Sequence, residues 1–317
     1  NHDLPLFIPL IGAHHVHTAL VAAAAGLHYG LSWDEIATGL AQTEPLPGRT
    51  RLLEGVNGSL LLDDSYNAVP FSALAALETL HSLPAQRRIA LLGDMAQLGS
   101  YSEEGHRVVG RRCAGVCDFL ITKGELARLA AEEAIRQGMP PTHVYVTYSA
   151  EDATRLLQAL LRPKDLLLIK GSAEARLELV TRELLLRPDS GSKVLPRQNR
   201  GWAQVRLERP GRPTWVEIDL QAIAHNVREI VSWVGPSIKV MAVLKADAYG
   251  HGAMKVARTA LNNGAAWLGV ACLGEALALR HAGIDAPILI LGFTPAWQAR
   301  DAVLEDATTT VFSFEVA

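Results

Sequence analysis

Lys245 stands out because of where it falls. It follows directly on the apolar run 240–244 and opens the segment Lys245-Ala246-Asp247-Ala248-Tyr249-Gly250-His251-Gly252. A lysine at the end of a buried strand has low-dielectric walls around it. Burial disfavours the ammonium and lowers the amine pKa, which suits Schiff-base chemistry. Tyr249 lies four residues on, and the Gly-His-Gly turn lets backbone approach a bound group closely. The same residues also read as a lysine ion-paired with Asp247 at a strand end. A second constellation is spread along the chain: Asp63-Asp64-Ser65, Gly93-Asp94-Met95, Thr122-Lys123-Gly124 and Lys170-Gly171-Ser172 each follow a short apolar run. In an open parallel sheet ligands bind at the carboxyl ends of the strands, so four polar turns on that edge describe a site. Asp63 and Asp64 also read as an ordinary turn. His14, His15 and His17 suggest a metal, but no carboxylate or cysteine sits at a complementary spacing, and no metal site is expected.

The elements that must position these residues follow from periodicity. Short, continuously apolar runs at 60–62, 89–92, 119–121, 144–146 and 166–169 alternate with helical patterns at 71–83, 102–117, 125–137, 150–161 and 173–186. Runs of this kind fit a parallel sheet covered on both faces, hence a doubly wound α/β domain. A second α/β stretch has strands at 240–244, 267–271, 288–291 and 308–312, with helices at 220–234, 253–262, 273–281 and 295–304. Its short repeat suits a (β/α)₈ barrel, of which four units fit here; the open edges of such a half would be adhesive. Ahead of both lie a helical run at 14–29 and a short helix at 33–40 capped by Ser32, the tail of a further domain. The organisation expected is 1–45 as that tail, 46–190 as the first α/β domain, 191–212 as a linker and 213–317 as the partial barrel. Residues 187–213 carry four prolines, three glycines and seven Lys or Arg, the composition of a solvated linker.

The 317 residues are 49% hydrophobic and 20% charged, with a net charge of -3. That balance gives no electrostatic case for nucleic acid or an anionic membrane. No run approaches the ~20 apolar residues of a membrane span. Three cysteines without metal or redox spacing read as reduced thiols in a cytoplasmic protein. The chain opens on Asn1 and stops at Ala317 shortly after an apolar run, and it reads as a fragment.

The lysine motif resembles alanine racemase. Pro213-Thr214-Trp215-Val216-Glu217-Ile218-Asp219-Leu220, His225-Asn226, Val270-Ala271-Cys272-Leu273-Gly274-Glu275-Ala276 and Arg280-His281-Ala282-Gly283-Ile284 continue the likeness from about residue 212 onward. The resemblance implies that Lys245 carries pyridoxal 5'-phosphate and is the base on one substrate face, and that Tyr249 contacts the cofactor phosphate. It also implies a homodimer through the racemase part. The family's opposite-face tyrosine belongs to a β domain that these residues do not include.

The first half is similar to the Mur ligase that adds D-alanyl-D-alanine to UDP-N-acetylmuramoyl tripeptide. Gly12-Ala13-His14-His15-Val16-His17-Thr18-Ala19-Leu20 looks like that family's segment beside adenine, with His15 and Thr18 in place of two asparagines. Pro47-Gly48-Arg49 and Asp63-Asp64-Ser65-Tyr66-Asn67-Ala68-Val69-Pro70 resemble the hinge and first strand of its C-terminal domain. Leu92-Gly93-Asp94-Met95-Ala96-Gln97-Leu98-Gly99, His106 and Lys170-Gly171-Ser172 are further landmarks. Val69 and Gln97 depart from the usual asparagine and glutamate. The likeness implies that His14, His15, Arg49, Asp64 and Asn67 face ATP, Arg49 reaching phosphate and Asp64 the ribose, with Mg²⁺ bound elsewhere in the enzyme. The Gly-rich phosphate loop is not among these residues. The expectation is therefore a stretch of a bifunctional cell-wall enzyme that binds alanine, D-alanyl-D-alanine, the UDP-muramoyl tripeptide and ATP, and is inactive by itself. A folylpolyglutamate synthase-like ligase half and a non-catalytic scaffold retaining both folds are the competing readings; Asp64-Ser65-Tyr66-Asn67-Ala68 argues against the first.

Overall fold

The computed structural model describes residues 6–198 and 216–314. The chain divides into two compact units, residues 1–146 with 153–209 and residues 147–152 with 210–317. The first begins with α1 (His15–His28) and α2 (Trp33–Ala41). Ser32 caps α2 in a full capping box: its hydroxyl accepts from the Glu35 amide, and the Glu35 carboxylate accepts from the Ser32 amide.

A six-stranded sheet follows, built from β1 (Arg51–Glu54), β2 (Leu60–Asp64), β3 (Arg87–Gly93), β4 (Phe119–Lys123), β5 (Val144–Thr147) and β6 (Asp165–Lys170) in the order β1-β2-β6-β3-β4-β5. The pairs β2–β6, β6–β3 and β3–β4 are parallel, whereas β1 lies antiparallel on β2. The interior strands are apolar because both faces are covered: Leu61, Leu62, Ile89, Leu91, Leu167 and Ile169 are fully buried. The covering helices are α3 (Pro70–Ser82), α4 (Ser102–Ala114), α5 (Ala127–Arg136), α6 (Ala150–Leu160) and α7 (Glu178–Leu184). Helices α4 and α5 approach so closely at Gly110 that a Cβ there would lie 2.3 Å from the Ala130 carbonyl oxygen.

Three details differ from the periodicity. Strand β1 was not visible as an apolar run because it is a charged edge strand with alternating exposure. Its hairpin does have a local signal, Asn57-Gly58, where both residues adopt positive φ. The single helix expected at 173–186 is broken: a 3₁₀ turn (Ala173–Ala175) ends at Arg176 with φ +50°, and α7 starts after it. The expected solvated linker starts inside the fold, since α8 (Gly191–Val194) is followed by a packed segment in which Leu195 is buried. The rest of that linker, 199–212, lies outside the described residues.

The second unit contains α9 (Leu220–Val234), β7 (Met241–Val243), α10 (Ala253–Asn262), β8 (Trp267–Val270), α11 (Leu273–His281), β9 (Ile288–Phe293), α12 (Ala299–Leu304) and β10 (Ala307–Thr310). Its four strands lie parallel in sequence order, β7-β8-β9-β10. Ile288 and Ile290 are buried under the helices, while Leu289, Leu291 and Phe293 on the other face stay partly or fully exposed. Sequential parallel strands with helices on one face form half of a (β/α)₈ barrel, its interior face uncovered.

Candidate active sites at the carboxyl ends of two sheets

In the first sheet, register brings the chemistry together. Asp64 ends β2 directly opposite Lys170 at the end of β6. The Lys170 ammonium donates to Asp64 Oδ2 at 2.6 Å and to the Asn67 carbonyl at 2.9 Å, with its side chain only 2% exposed. Asp64 Oδ1 accepts from the Thr50 amide at 3.2 Å. Burial lowers the Lys170 pKa, and the Asp64 charge works against that shift. Asp64 is therefore first of all the counter-ion of a buried ammonium and a clamp on the residue after Arg49. Any ribose contact has to use its remaining lone pairs.

Arg49 is exposed and stacks 4.2 Å from the centroid of the Tyr66 ring. Asn67 contributes its carbonyl to Lys170, while its exposed side chain lines an open cleft of about 550 Å³ together with Tyr66 and Gln97. His14 and His15 stack with ring centroids 4.1 Å apart. Burial holds His14 below the usual imidazole value; the nearby Asp64 carboxylate opposes this and Lys170 reinforces it. His15 is likewise lowered, by burial first and by His14 second. Both histidines thus sit neutral in the electrostatic neighbourhood of the Asp64–Lys170 pair. Among the described residues, no group of three His, Cys, Asp or Glu could hold a metal ion.

The other landmarks prove to be scaffolding. Asp94 Oδ1 accepts the amides of Leu126 at 3.0 Å and Ala127 at 2.7 Å, so it caps α5. Gly124 is required beside it, because a Cβ there would lie 2.2 Å from Asp94 Oδ1. His106 is buried; its Nε2 accepts from the Met95 amide and its Nδ1 therefore donates to the Ser102 carbonyl, fixing the turn after β3. Asp63 points to the opposite side from Asp64, fully buried, and accepts from the Thr181 hydroxyl. Two residues with a bearing on this edge escaped sequence reasoning, Glu178 and Arg197. Nothing local signals a buried ion pair formed across 19 residues of chain.

In the second unit, Lys245 follows β7 at its carboxyl end, as expected, but its side chain is exposed. The four strands of the described residues do not themselves form the low-dielectric walls anticipated for it. Asp247 is not its partner either, since Asp247 Oδ1 caps α10 by accepting the Ala253 amide at 2.7 Å. Among the described residues the Lys245 amine has no hydrogen-bond or ion-pair partner, and the Tyr249 ring lies 5.9 Å away. The turn that holds it is unusual: Ala246, Asp247, Ala248 and Tyr249 all have φ between +52° and +57°. A left-handed run of non-glycine residues costs roughly 1–2 kcal/mol per residue, so it persists only where surroundings impose it. Glu275 supplies much of that restraint. Its Oε1 accepts from the Ala246 amide at 2.8 Å and its Oε2 from the Ala271 amide at 2.7 Å, joining the turns after β7 and β8.

The molecule thus contains a doubly wound domain with a charged carboxyl edge and a barrel half whose strand-end lysine has no hydrogen-bond or ion-pair partner among the described residues. Residues 48–173 match the sequence model of the Mur ligase glutamate ligase domain, and residues 218–317 that of the alanine racemase N-terminal domain. The two matches thus follow one another along one polypeptide, a Mur ligase-like stretch ahead of an alanine racemase-like one. Alanine racemase 1 of Oceanobacillus iheyensis is 52% identical over 104 residues, covering 33% of this chain and 28% of that protein. The alanine racemase of Synechocystis sp. is 63% identical over 78 residues, covering 25% of this chain and 21% of that protein. The chain therefore spans less than three tenths of the length of either curated relative. One crystal structure of MurF from Acinetobacter baumannii superposes with a TM-score of 0.51 at 28% identity, covering 57% of this chain and 40% of that one. No helix of the described residues is long and apolar enough to cross a membrane.

Proposed function

We propose that the chain is the junction of a bifunctional peptidoglycan-precursor enzyme, with residues 1–45 and 46–190 belonging to the ligase and 213–317 to the racemase. The observation that carries the racemase half is the Lys245 amine, without an ion-pair or hydrogen-bond partner among the described residues, on its left-handed turn. An amine without an ion pair among the described residues, an aromatic hydroxyl one turn away and an open strand end suit pyridoxal 5'-phosphate. When bound, that cofactor acts as an electron sink for the substrate α-carbon. Lys245 Nζ would hold it covalently and exchange the α-proton of alanine on one face, and Tyr249 would hydrogen-bond its phosphate.

In the ligase half, the guanidinium of Arg49 would neutralise ATP phosphate, Asp64 would accept from ribose hydroxyls, and His14 and His15 would face adenine. Asn67 would complete that edge. The reaction would add D-alanyl-D-alanine to UDP-N-acetylmuramoyl tripeptide with Mg²⁺·ATP, in the cytoplasm, and the racemase part would form a homodimer. The pairing is chemically coherent, since one activity makes D-alanine and the other consumes a dipeptide of it. These 317 residues contain no Gly-rich phosphate loop and only one of the two bases that racemisation requires, so they should turn over neither substrate alone. The test is to incubate the chain with pyridoxal 5'-phosphate, reduce with borohydride and map the modified lysine, then assay alanine racemisation and ATP-dependent ligation. Modification confined to Lys245 without turnover is expected. Labelling of other lysines instead would remove the racemase assignment, and turnover in either assay would remove the inactivity.

A further inference from the structure

The segment that leaves the ligase half lies beyond residue 173, where the Mur ligase match stops, yet it is built into the candidate nucleotide edge. Arg197 is its centre, with a side chain only 3% exposed. Its Nη1 donates to the Tyr66 carbonyl at 2.7 Å, and its Nη2 donates to the Ser65 carbonyl at 2.6 Å and to Glu178 Oε2 at 2.6 Å. The other Glu178 oxygen accepts from Arg176 Nε at 2.6 Å. Burial pushes the Glu178 carboxyl up, but the hydrogen bonds from Arg197 and Arg176 outweigh it and hold the group below the ordinary carboxylate value. Glu178 is therefore a fixed anion that orients Arg197 toward the loop.

Two neighbours of Arg197 extend the attachment. A Cβ at Gly48 would lie 2.8 Å from Pro196 Cγ and 2.9 Å from the Tyr66 nitrogen, so Gly48, with φ +70°, closes against both. The Tyr66 amide donates to the Gly48 carbonyl at 3.0 Å. Arg182 Nη2 donates to Gln198 Oε1 at 2.6 Å. Arg197 and Gln198 then line the 550 Å³ cleft beside Tyr66, Asn67, Gln97 and Glu174. The Tyr66 ring carries Arg49 at 4.2 Å and Arg197 at 5.9 Å.

We propose that Arg197 is a positioning residue of the ligase half, and that residues 195–198 form a strap locking the Gly48–Arg49 hinge to the Ser65–Asn67 loop. The physical reason is that loop carbonyls have no ladder partner. One buried guanidinium that satisfies two consecutive carbonyls, and is itself held by a buried carboxylate, leaves the loop a single arrangement. Arg49 and the Asn67 carbonyl keep their places only while that loop does. The segment that joins ligase to racemase is thus also a wall of the ligase cleft. This rests on the ligase reading only for what the cleft binds, not for the strap itself.

The test is amide hydrogen exchange on the full 317-residue chain, comparing wild type with Arg197→Ala and Arg197→Lys, alongside titration with ATP. Arg197→Ala should speed exchange of the Tyr66 and Thr50 amides at least tenfold and leave Ile89–Leu92 of β3 unchanged. Arg197→Lys retains the charge opposite Glu178 but not the two-carbonyl fork, so it should fold and show the same local acceleration. Where wild type binds ATP, both variants should weaken it about tenfold. Acceleration spread equally over β3, or none at Tyr66, would overturn the strap. Absence of ATP binding by wild type would count only against a nucleotide site formed by these residues alone, the exchange data still deciding Arg197.

Discussion

Replacing Asp63 by asparagine should stabilise the first unit at neutral pH, in the residue next to the one assigned to nucleotide. Asp63 is fully buried and one of its oxygens accepts from the Thr181 hydroxyl at 3.2 Å. Burial, with smaller contributions from the Asp64 and Glu178 charges, pushes its pKa from 3.8 up to about 6. A raised carboxyl pKa means that the folded state binds the proton more tightly than the unfolded state. Its contribution is fully present below the unfolded value of 3.8 and is lost as pH rises through about 6. A rise of about two units at 1.36 kcal/mol each sets the ionisation cost at about 3 kcal/mol above that window. Asparagine is nearly isosteric and cannot ionise, so the variant escapes the cost. The assay is urea unfolding at pH values from 4 to 8, followed by labelling of Cys113 and Cys117, which are buried in the first unit. The advantage of Asp63→Asn should be smallest at pH 4, grow through pH 5 and 6, and level off near 3 kcal/mol. A difference that stays flat with pH, or that grows toward acid, would refute the reasoning.

Arg49→Ala and Asp64→Ala in the complete ligase should each weaken ATP use by about 1–3 kcal/mol, read as the change in kcat/KM. Only Asp64→Ala should also lower the melting temperature, because it strands the buried Lys170 ammonium. Glu275→Ala should slow borohydride-trappable cofactor attachment at Lys245 at least about tenfold, since two amides lose their shared acceptor and the left-handed turn relaxes; the rate of modification at Lys245 measures it. Glu275→Gln, which keeps one acceptor oxygen, should fall between. Gly110→Ala should destabilise the first unit by about 1–3 kcal/mol by forcing α4 and α5 apart, measured by chemical denaturation.

Much of this architecture is written locally. The interior strands β2, β3, β4 and β6, buried over most of their length, had to be continuous apolar runs, and those runs with their polar turns marked the carboxyl edge where Asp64 and Lys170 meet. Lys245 announced itself because a lysine directly after an apolar strand, followed by Gly-His-Gly, is a conspicuous local pattern. What the sequence could not state is which charges find each other. Asp64 and Lys170 pair across 106 residues because β6 lies beside β2, a crossover that no periodicity encodes. Tertiary placement also separated Asp63 from Asp64, one turned to a buried threonine and the other to a buried lysine, although both look alike in a strand-end Asp-Asp. It also turned the start of a proline- and arginine-rich connector into part of a site, since the fit of Arg197 to two loop carbonyls and Glu178 exists only once the loop, α7 and the connector have met. Local periodicity depends on neighbours a few residues apart, so the sequence carries it openly; the pairing of buried charges depends on strand order, which only the folded chain decides.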